Sequence, residues 1–130
     1  MNIIDHLGLF VSDYPGALRF YEQALAPLGI SIVMRVTAED SGGFEGAGFG
    51  RGGKPSFWLS AGGNTAPRIH VAFVAENRMA VDAFYEAAMA AGGTDNGRPG
   101  LRVEYHPNYY GAFVLDPDGH NIEAVCHRPE

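Results

Sequence analysis

Three features of the sequence predict an α+β fold made from two copies of one βαβββ module. Sliding the 130-residue chain by 64 residues gives seven identities across residues 4–29, where chance gives about two. Each half then runs in the same order, with a short apolar segment, a helical stripe and three further strand-like segments. Hydrophobic residues make up 46% of the chain, which is enough to form a core. We therefore expect one domain, 1–130, with modules at about 1–64 and 65–130 and curled mixed or antiparallel sheets.

The first half begins with an apolar segment of strand length at residues 4–11. Asp13 and Pro15 then mark the start of a helix, because Asp is a favoured N-cap and Pro is tolerated in the first turn. Apolar side chains at helical spacing follow, and Gly29 ends the helix. These side chains are Leu18, Tyr21, Leu25 and Leu28. Strands are predicted after the helix at residues 30–37, 44–50 and 56–60.

The second half repeats this order. It opens with a strand-like segment at residues 69–75, and Gly92 ends the helix that follows. The apolar stripe of this helix consists of Val81, Phe84, Ala88 and Met89. Segments 62–67 and 92–100 are rich in Gly and resemble linkers, and the Asp-Pro-Asp-Gly run at 116–119 favours a type I turn. Strands are predicted at residues 101–106, 111–115 and 121–127.

Composition excludes several classes of protein. The formal net charge is −6 and Lys and Arg do not cluster, which argues against partners such as nucleic acid or an anionic membrane surface. No apolar run reaches the roughly 20 residues that a membrane span needs. The first six residues lack the basic start of a signal peptide. A single cysteine, Cys126, excludes an internal disulfide. We therefore expect a soluble, cytoplasmic protein.

Two histidines occupy the same position in the two modules, and this symmetry predicts a metal site. His6 and His70 alternate onto the strand face opposite the bulky apolar residues, which belong under a helix. Each is followed two residues later by a small residue, Gly8 or Ala72, which leaves room for a ligand. Glu123 lies on the corresponding face of the last strand. Two imidazoles and one carboxylate can hold a divalent metal and leave coordination positions open for a substrate.

Four segments, at residues 4–13, 20–21, 70–73 and 113–123, carry a family pattern, the last of them (FVLDPDGHNIE) being the most specific. They resemble the vicinal oxygen chelate superfamily, which contains glyoxalase I, extradiol dioxygenases, fosfomycin-resistance transferases and bleomycin-resistance proteins. The resemblance covers nearly the whole chain. It implies paired βαβββ modules whose sheets form a cup around a divalent metal. The metal ligands that it implies are His6, His70 and Glu123, a set that accepts zinc, iron, manganese or nickel.

The chain departs from each named branch of this superfamily. Glyoxalase I has a fourth ligand in the last strand of its first module, where the 64-residue shift gives Leu59. Fosfomycin-resistance enzymes have Thr where this chain has Gly8, and extradiol dioxygenases usually have Tyr where it has Phe113. Bleomycin-resistance proteins lack the metal ligands. We expect a divalent-metal-dependent lyase, isomerase or dioxygenase acting on a small oxygen-chelating substrate. The alternative is a metal-free protein that sequesters a small molecule.

The remaining candidate residues surround the predicted metal site. The catalytic candidates are Glu123, His106 and Tyr110. Among them His106 is a candidate general base, because imidazole groups ordinarily titrate near neutral pH. The residues expected to line the substrate pocket are Phe10, Leu59 and Arg102.

The predicted site also bears on assembly, since its ligands come from both modules. The modules can pair within one chain or between two chains of a symmetric dimer. The short connection at 62–67 permits either arrangement. The resemblance favours a homodimer, which is the expected assembly.

Overall fold

The computed structural model describes residues 3–130 and confirms two modules of the same design. The first contains β1 (Leu7–Val11), α1 (Tyr14–Leu25), a 3-10 turn (Ala26–Leu28), β2 (Ser31–Val36), a short α2 (Ala38–Ser41), β3 (Gly46–Gly50) and β4 (Phe57–Ala61). The second contains β5 (His70–Val74), α3 (Arg78–Ala90), β6 (Thr94–Leu101), β7 (Tyr110–Leu115) and β8 (Asn121–Cys126). Met1 and Asn2, part of the segment that we expect not to be a signal peptide, lie outside the described residues.

Each module forms one four-stranded mixed sheet, and the two sheets have equivalent strand orders. The first sheet has the order β1-β4-β3-β2 and the second has β5-β8-β7-β6. In each, the first and last strands of the module pair in parallel and the other pairs are antiparallel. The outer strands β1 and β5 lie near each other, as their side chains show. Leu7 of β1 and Val71 of β5 line the same cavity, and the 64-residue shift superposes these two residues.

Both long helices begin at a capping residue, and the cap of α1, Asp13, is the one that the sequence predicts. The side chain of Asp13 accepts a hydrogen bond from the backbone N–H of Gly16, and Asn77 does the same for Ala80 at the start of α3. The buried faces of α1 and α3 join one hydrophobic core that spans both modules. Within residues 3–130, no helix has the length and apolar character needed to cross a membrane.

The Asp-Pro-Asp-Gly turn between β7 and β8 connects the two modules as well as reversing the chain. The buried Asp116 accepts backbone hydrogen bonds from Asp118 and His120 with one oxygen. Its other oxygen accepts a 2.5 Å hydrogen bond from the Tyr21 hydroxyl of α1. Asp118 in turn accepts hydrogen bonds from the backbone N–H and the hydroxyl of Ser12, just after β1. The turn therefore fixes the start of β8 against the first module.

One strand lies elsewhere than expected. We expected a linker at 92–100 and a strand at 101–106, but β6 occupies Thr94–Leu101 and turns follow it. Gly97, Pro99 and Gly100 suggested a linker because these residues weaken central strands. However, β6 is an outer strand, where Pro is tolerated, and its register shifts around Gly97 and again before Gly100.

The last strands of the two modules are offset by one residue from the 64-residue shift. Gly8 pairs with Trp58, whereas Ala72, the equivalent of Gly8, pairs with Glu123. Trp58 therefore stands at the position equivalent to Glu123. Leu59 pairs with the buried Leu9 and is itself fully buried in the core. The structure places Leu59 in the core instead of at the wall of a pocket, because direct pairing partners share a sheet face.

Candidate metal centre

The centre of the candidate site is a pair formed by His70 and Glu123. The register Ala72↔Glu123 puts the carboxylate beside the start of β5, on the sheet face away from the helices. His70 Nε2 lies 2.7 Å from Glu123 Oε1. The Glu123 side chain is 0% exposed, while that of His70 is 52% exposed. A buried carboxylate is costly unless it is paired and hydrogen-bonded, so this pair satisfies a group that would otherwise destabilise the fold.

The second oxygen of Glu123 has its own partner. The Tyr109 hydroxyl donates a hydrogen bond to Glu123 Oε2. Burial, together with the hydrogen bond to this carboxylate, raises the pKa of Tyr109 far above its ordinary value, so the phenol stays protonated as a donor. Sequence reasoning named the neighbouring Tyr110 as a catalytic candidate and did not name Tyr109. The two tyrosines differ in their position relative to β7. Tyr110 is the first residue of the strand, whereas Tyr109 directly precedes it.

His6 lies directly before β1 and is oriented by a carboxylate. Its Nδ1 is 2.7 Å from Asp5 Oδ2, and Lys54 Nζ is 2.8 Å from the same oxygen. The hydrogen bonds from Lys54 and His6 lower the pKa of Asp5, which keeps it ionised. Because Nδ1 is engaged, Nε2 is the nitrogen that remains for a metal, an arrangement common among metal-ligating histidines. Sequence reasoning missed Asp5.

The structure brings only two of the three expected ligands into contact. Within residues 3–130, no three His, Cys, Asp or Glu side chains are close enough together to hold a metal ion. His6 therefore does not join His70 and Glu123 in this chain. However, Asp5 and His70 line one cavity of about 430 Å³ between the two modules. This volume is in the range of small-molecule sites.

The two other catalytic candidates lie apart from the carboxylate of Glu123. Tyr110 is on the helix-facing side of β7, where its hydroxyl donates to Asp82 Oδ1 at 2.7 Å and Arg78 lies over its ring. The structure thus does not bring Tyr110 to the predicted metal site, since neighbouring residues of a strand face opposite ways. His106 is exposed on the loop after β6, and its Nδ1 accepts a hydrogen bond from the backbone of Asn108.

The two remaining pocket candidates have different surroundings. Phe10 is 44% exposed and lines a smaller cavity of about 170 Å³. The Arg102 guanidinium lies 5.4 Å from the centroid of the Phe113 ring, and that ring is 6.1 Å from the imidazole of His70. Arg102 is therefore separated from His70 by one aromatic ring.

The donors present fit a divalent metal. An imidazole nitrogen and a carboxylate oxygen at 2.7 Å are both ligands that zinc, iron, manganese and nickel accept. The backbone also makes room for the carboxylate at Gly111. A Cβ atom there would lie 3.2 Å from Glu123 Oε2 and 3.1 Å from the ring of Tyr109. A side chain at this position would press directly on the Glu123–Tyr109 contact.

Comparison with known proteins assigns the fold to a family. The family model described as Glyoxalase/Bleomycin resistance protein/Dioxygenase superfamily matches residues 3–124. A glyoxalase/bleomycin resistance protein from Albidiferax ferrireducens is 28% identical, with a TM-score of 0.74, 98% of this chain covered and 100% of that chain. No match was found among functionally curated proteins.

Two further solved structures share the fold at lower identity. A glyoxalase/bleomycin resistance protein/dioxygenase domain from Frankia sp. is 21% identical, with a TM-score of 0.73, covering 98% of this chain and 99% of that one. A mutant of glyoxalase I from Zea mays is 23% identical, with a TM-score of 0.71 and 94% of this chain covered. The present chain spans only 46% of the maize protein. The matched residues, the two βαβββ modules and the likeness to these structures together show that the chain belongs to the Glyoxalase/Bleomycin resistance protein/Dioxygenase superfamily.

Proposed function

We propose that the protein is a divalent-metal-dependent enzyme that acts on a small oxygen-chelating substrate. The observation that carries this proposal is the fully buried carboxylate of Glu123 paired with His70 at 2.7 Å. His70 also lines a cavity large enough for a small molecule. A buried carboxylate beside a half-exposed imidazole forms a pair of ligands that suits a divalent cation.

The proposed roles follow from these contacts. His6, His70 and Glu123 hold the metal, and Asp5 orients His6 through Nδ1. When bound, the metal supplies Lewis-acid polarisation of the substrate oxygens. His106, on the exposed loop after β6, is the group that we propose to accept or return the proton of the substrate. The reaction is of the lyase, isomerase or dioxygenase type.

We further propose that the chain works as a homodimer. Since His6 is not grouped with the other two ligands, the set is completed either by movement of the segment before β1 or by His6 of a second copy. Mixing the inactive variants His6→Ala and Glu123→Gln distinguishes these arrangements. If subunits exchange and the ligands come from different chains, one site of each mixed dimer regains all three ligands. If each site is built within one chain, no metal binding returns after demonstrated exchange.

Metal analysis tests the proposed function. We expect one equivalent of a transition metal in protein purified without chelator, or after reconstitution, and its loss in the His70→Ala variant. Glu22→Ala is the control, because Glu22 is an exposed residue of α1, away from the His70–Glu123 pair. Less than about a tenth of an equivalent in the wild type, not restored by added metal, would overturn the proposal.

The metal-free alternative is favoured by one specific observation. His70 and Glu123 already satisfy each other by a direct hydrogen bond. A protein that only sequesters small molecules needs the adjoining cavity but no metal, since the hydrogen bond between His70 and Glu123 already satisfies both side chains. Binding of a small aromatic ligand that is equally tight with and without metal, in protein that shows no metal uptake, would establish this alternative.

A further inference from the structure

The structure assigns to Tyr109 the role of a positioning residue that makes Glu123 a one-oxygen ligand. Tyr109 takes Oε2 of the carboxylate and leaves Oε1, on the His70 side, for the metal. This inference rests on the proposed metal-dependent function. It goes beyond it by explaining how coordination positions stay open for a substrate.

The contacts divide the carboxylate into two halves with different surroundings. Oε1 faces His70 Nε2 at 2.7 Å, and Oε2 accepts from the Tyr109 hydroxyl. Because Glu123 is 0% exposed, water does not compete for either oxygen. A hydrogen bond in such a low-dielectric setting is stronger than the same bond in water. The hydrogen bond from Tyr109 therefore holds Oε2 in place when Oε1 binds a metal.

The ring of Tyr109 is itself fixed on several sides. The rings of Tyr105 and His127 each pack edge-on against it, with centroids 5.1 Å away. Its backbone carbonyl accepts from the Arg102 N–H at 2.7 Å, which closes the loop after β6. The absent side chain at Gly111 provides the space in which Tyr109 meets Glu123. The hydroxyl is thus directed by packing and not by the single hydrogen bond alone.

The chemical consequence concerns the number of ligands. A carboxylate binds a metal through one or both oxygens, and a second oxygen occupies a position that a substrate would otherwise take. With Oε2 engaged by Tyr109, Glu123 contributes one ligand. Removing the Tyr109 hydroxyl frees Oε2, which is buried and accepts no other hydrogen bond from residues 3–130. The freed oxygen would then be available to a metal held by the set, as an additional ligand.

Cobalt(II) reports coordination number through its visible absorption, which weakens as four-coordinate sites gain ligands. We expect Tyr109→Phe to lower the intensity of the visible bands of the cobalt-loaded protein. Outer-shell changes of this kind alter metal affinity by about 10- to 100-fold, so we also expect weaker cobalt binding in a competition titration. Tyr105→Phe is the matched control, since its exposed hydroxyl does not contact Glu123 and its ring stays in the same cluster.

A second variant covers the case in which Tyr109→Phe folds poorly. Gly111→Ala places a Cβ within 3.2 Å of Glu123 Oε2 and should weaken the visible bands in the same direction. Unchanged band intensity in both variants overturns the inference, whatever happens to affinity, because a purely structural tyrosine would not change the coordination number. If the wild type binds no cobalt, the proposed function fails and the inference with it. If the wild type binds cobalt but the variants match it, only the role of Tyr109 is wrong.

Discussion

The substitution Tyr21→Phe tests how firmly the Asp-Pro-Asp-Gly turn joins the two modules. The Tyr21 hydroxyl donates to Asp116 at 2.5 Å, and both side chains are buried. The change removes the hydroxyl and keeps the ring, so it creates no large cavity. A buried hydrogen bond to a charged group contributes about 1.5–3 kcal/mol to the free energy of unfolding. The expected destabilisation is therefore in this range.

The expected shift in melting temperature follows from the size of the chain. The entropy of unfolding is roughly 2.1 cal/mol/K per residue. For a chain of 130 residues, the melting temperature therefore falls by about 4 °C for each kcal/mol of destabilisation. Tyr21→Phe should lower the melting temperature by about 6–11 °C. Circular dichroism during heating measures this shift, and urea unfolding gives the corresponding free energy.

The repeat supplies a control for this experiment. Tyr85 is the 64-residue equivalent of Tyr21, and it is only partly buried. Tyr85→Phe should change the free energy of unfolding by about 0.5 kcal/mol or less, as surface substitutions usually do. Equal shifts in the two variants, or no shift in Tyr21→Phe, would refute the view that the Tyr21–Asp116 contact stabilises the module interface.

Three further predictions follow from the same contacts. Burial, and then the charge of Asp116, raises the pKa of Tyr21 above its ordinary value of 10.0, so its contribution to stability is intact below pH 10 and is lost as the pH rises towards the folded-state pKa. The free energy of unfolding should thus fall by up to about 1.4 kcal/mol per pH unit more steeply above pH 10 in wild type than in Tyr21→Phe, measured by urea unfolding. Asp5→Ala should weaken metal binding about 10-fold in a competition titration, because His6 loses its orienting partner; unchanged affinity would contradict the role of Asp5. His6→Ala should lose bound metal as completely as Glu123→Gln, measured by elemental analysis, and retention of a full equivalent in His6→Ala would remove it from the ligand set.

The repeat made most of the fold accessible from the sequence. Both modules, the order of their elements along the chain and both long helices follow from local periodicity and from capping residues such as Asp13. The position of β6 did not, because tolerance of Pro99 depends on its strand lying at the edge of the sheet. That fact is a property of the assembled sheet and leaves no local signal.

The site was predicted less completely than the fold. The structure brings His70 and Glu123 into contact, whereas the grouping of His6 with them and the metal-binding role of all three remain predictions. Leu59 was misplaced because one extra residue in the second module shifts the register, which an ungapped repeat comparison does not detect. Tyr109 was missed for a related reason, since a shift of one residue exchanges the two faces of a strand.

The one-residue offset that puts Trp58 at the position equivalent to Glu123 also makes the two modules chemically different. Two repeated halves would ordinarily present the same chemistry to either end of a ligand lying across their boundary. Here one half presents a carboxylate and the other an indole at the equivalent position. Under the proposed function, we therefore expect a bound molecule to place its oxygen-bearing end towards the second module and its apolar end towards the first. Substrates of this protein should accordingly be asymmetric along their length, and a symmetric diacid of the same size should bind less well.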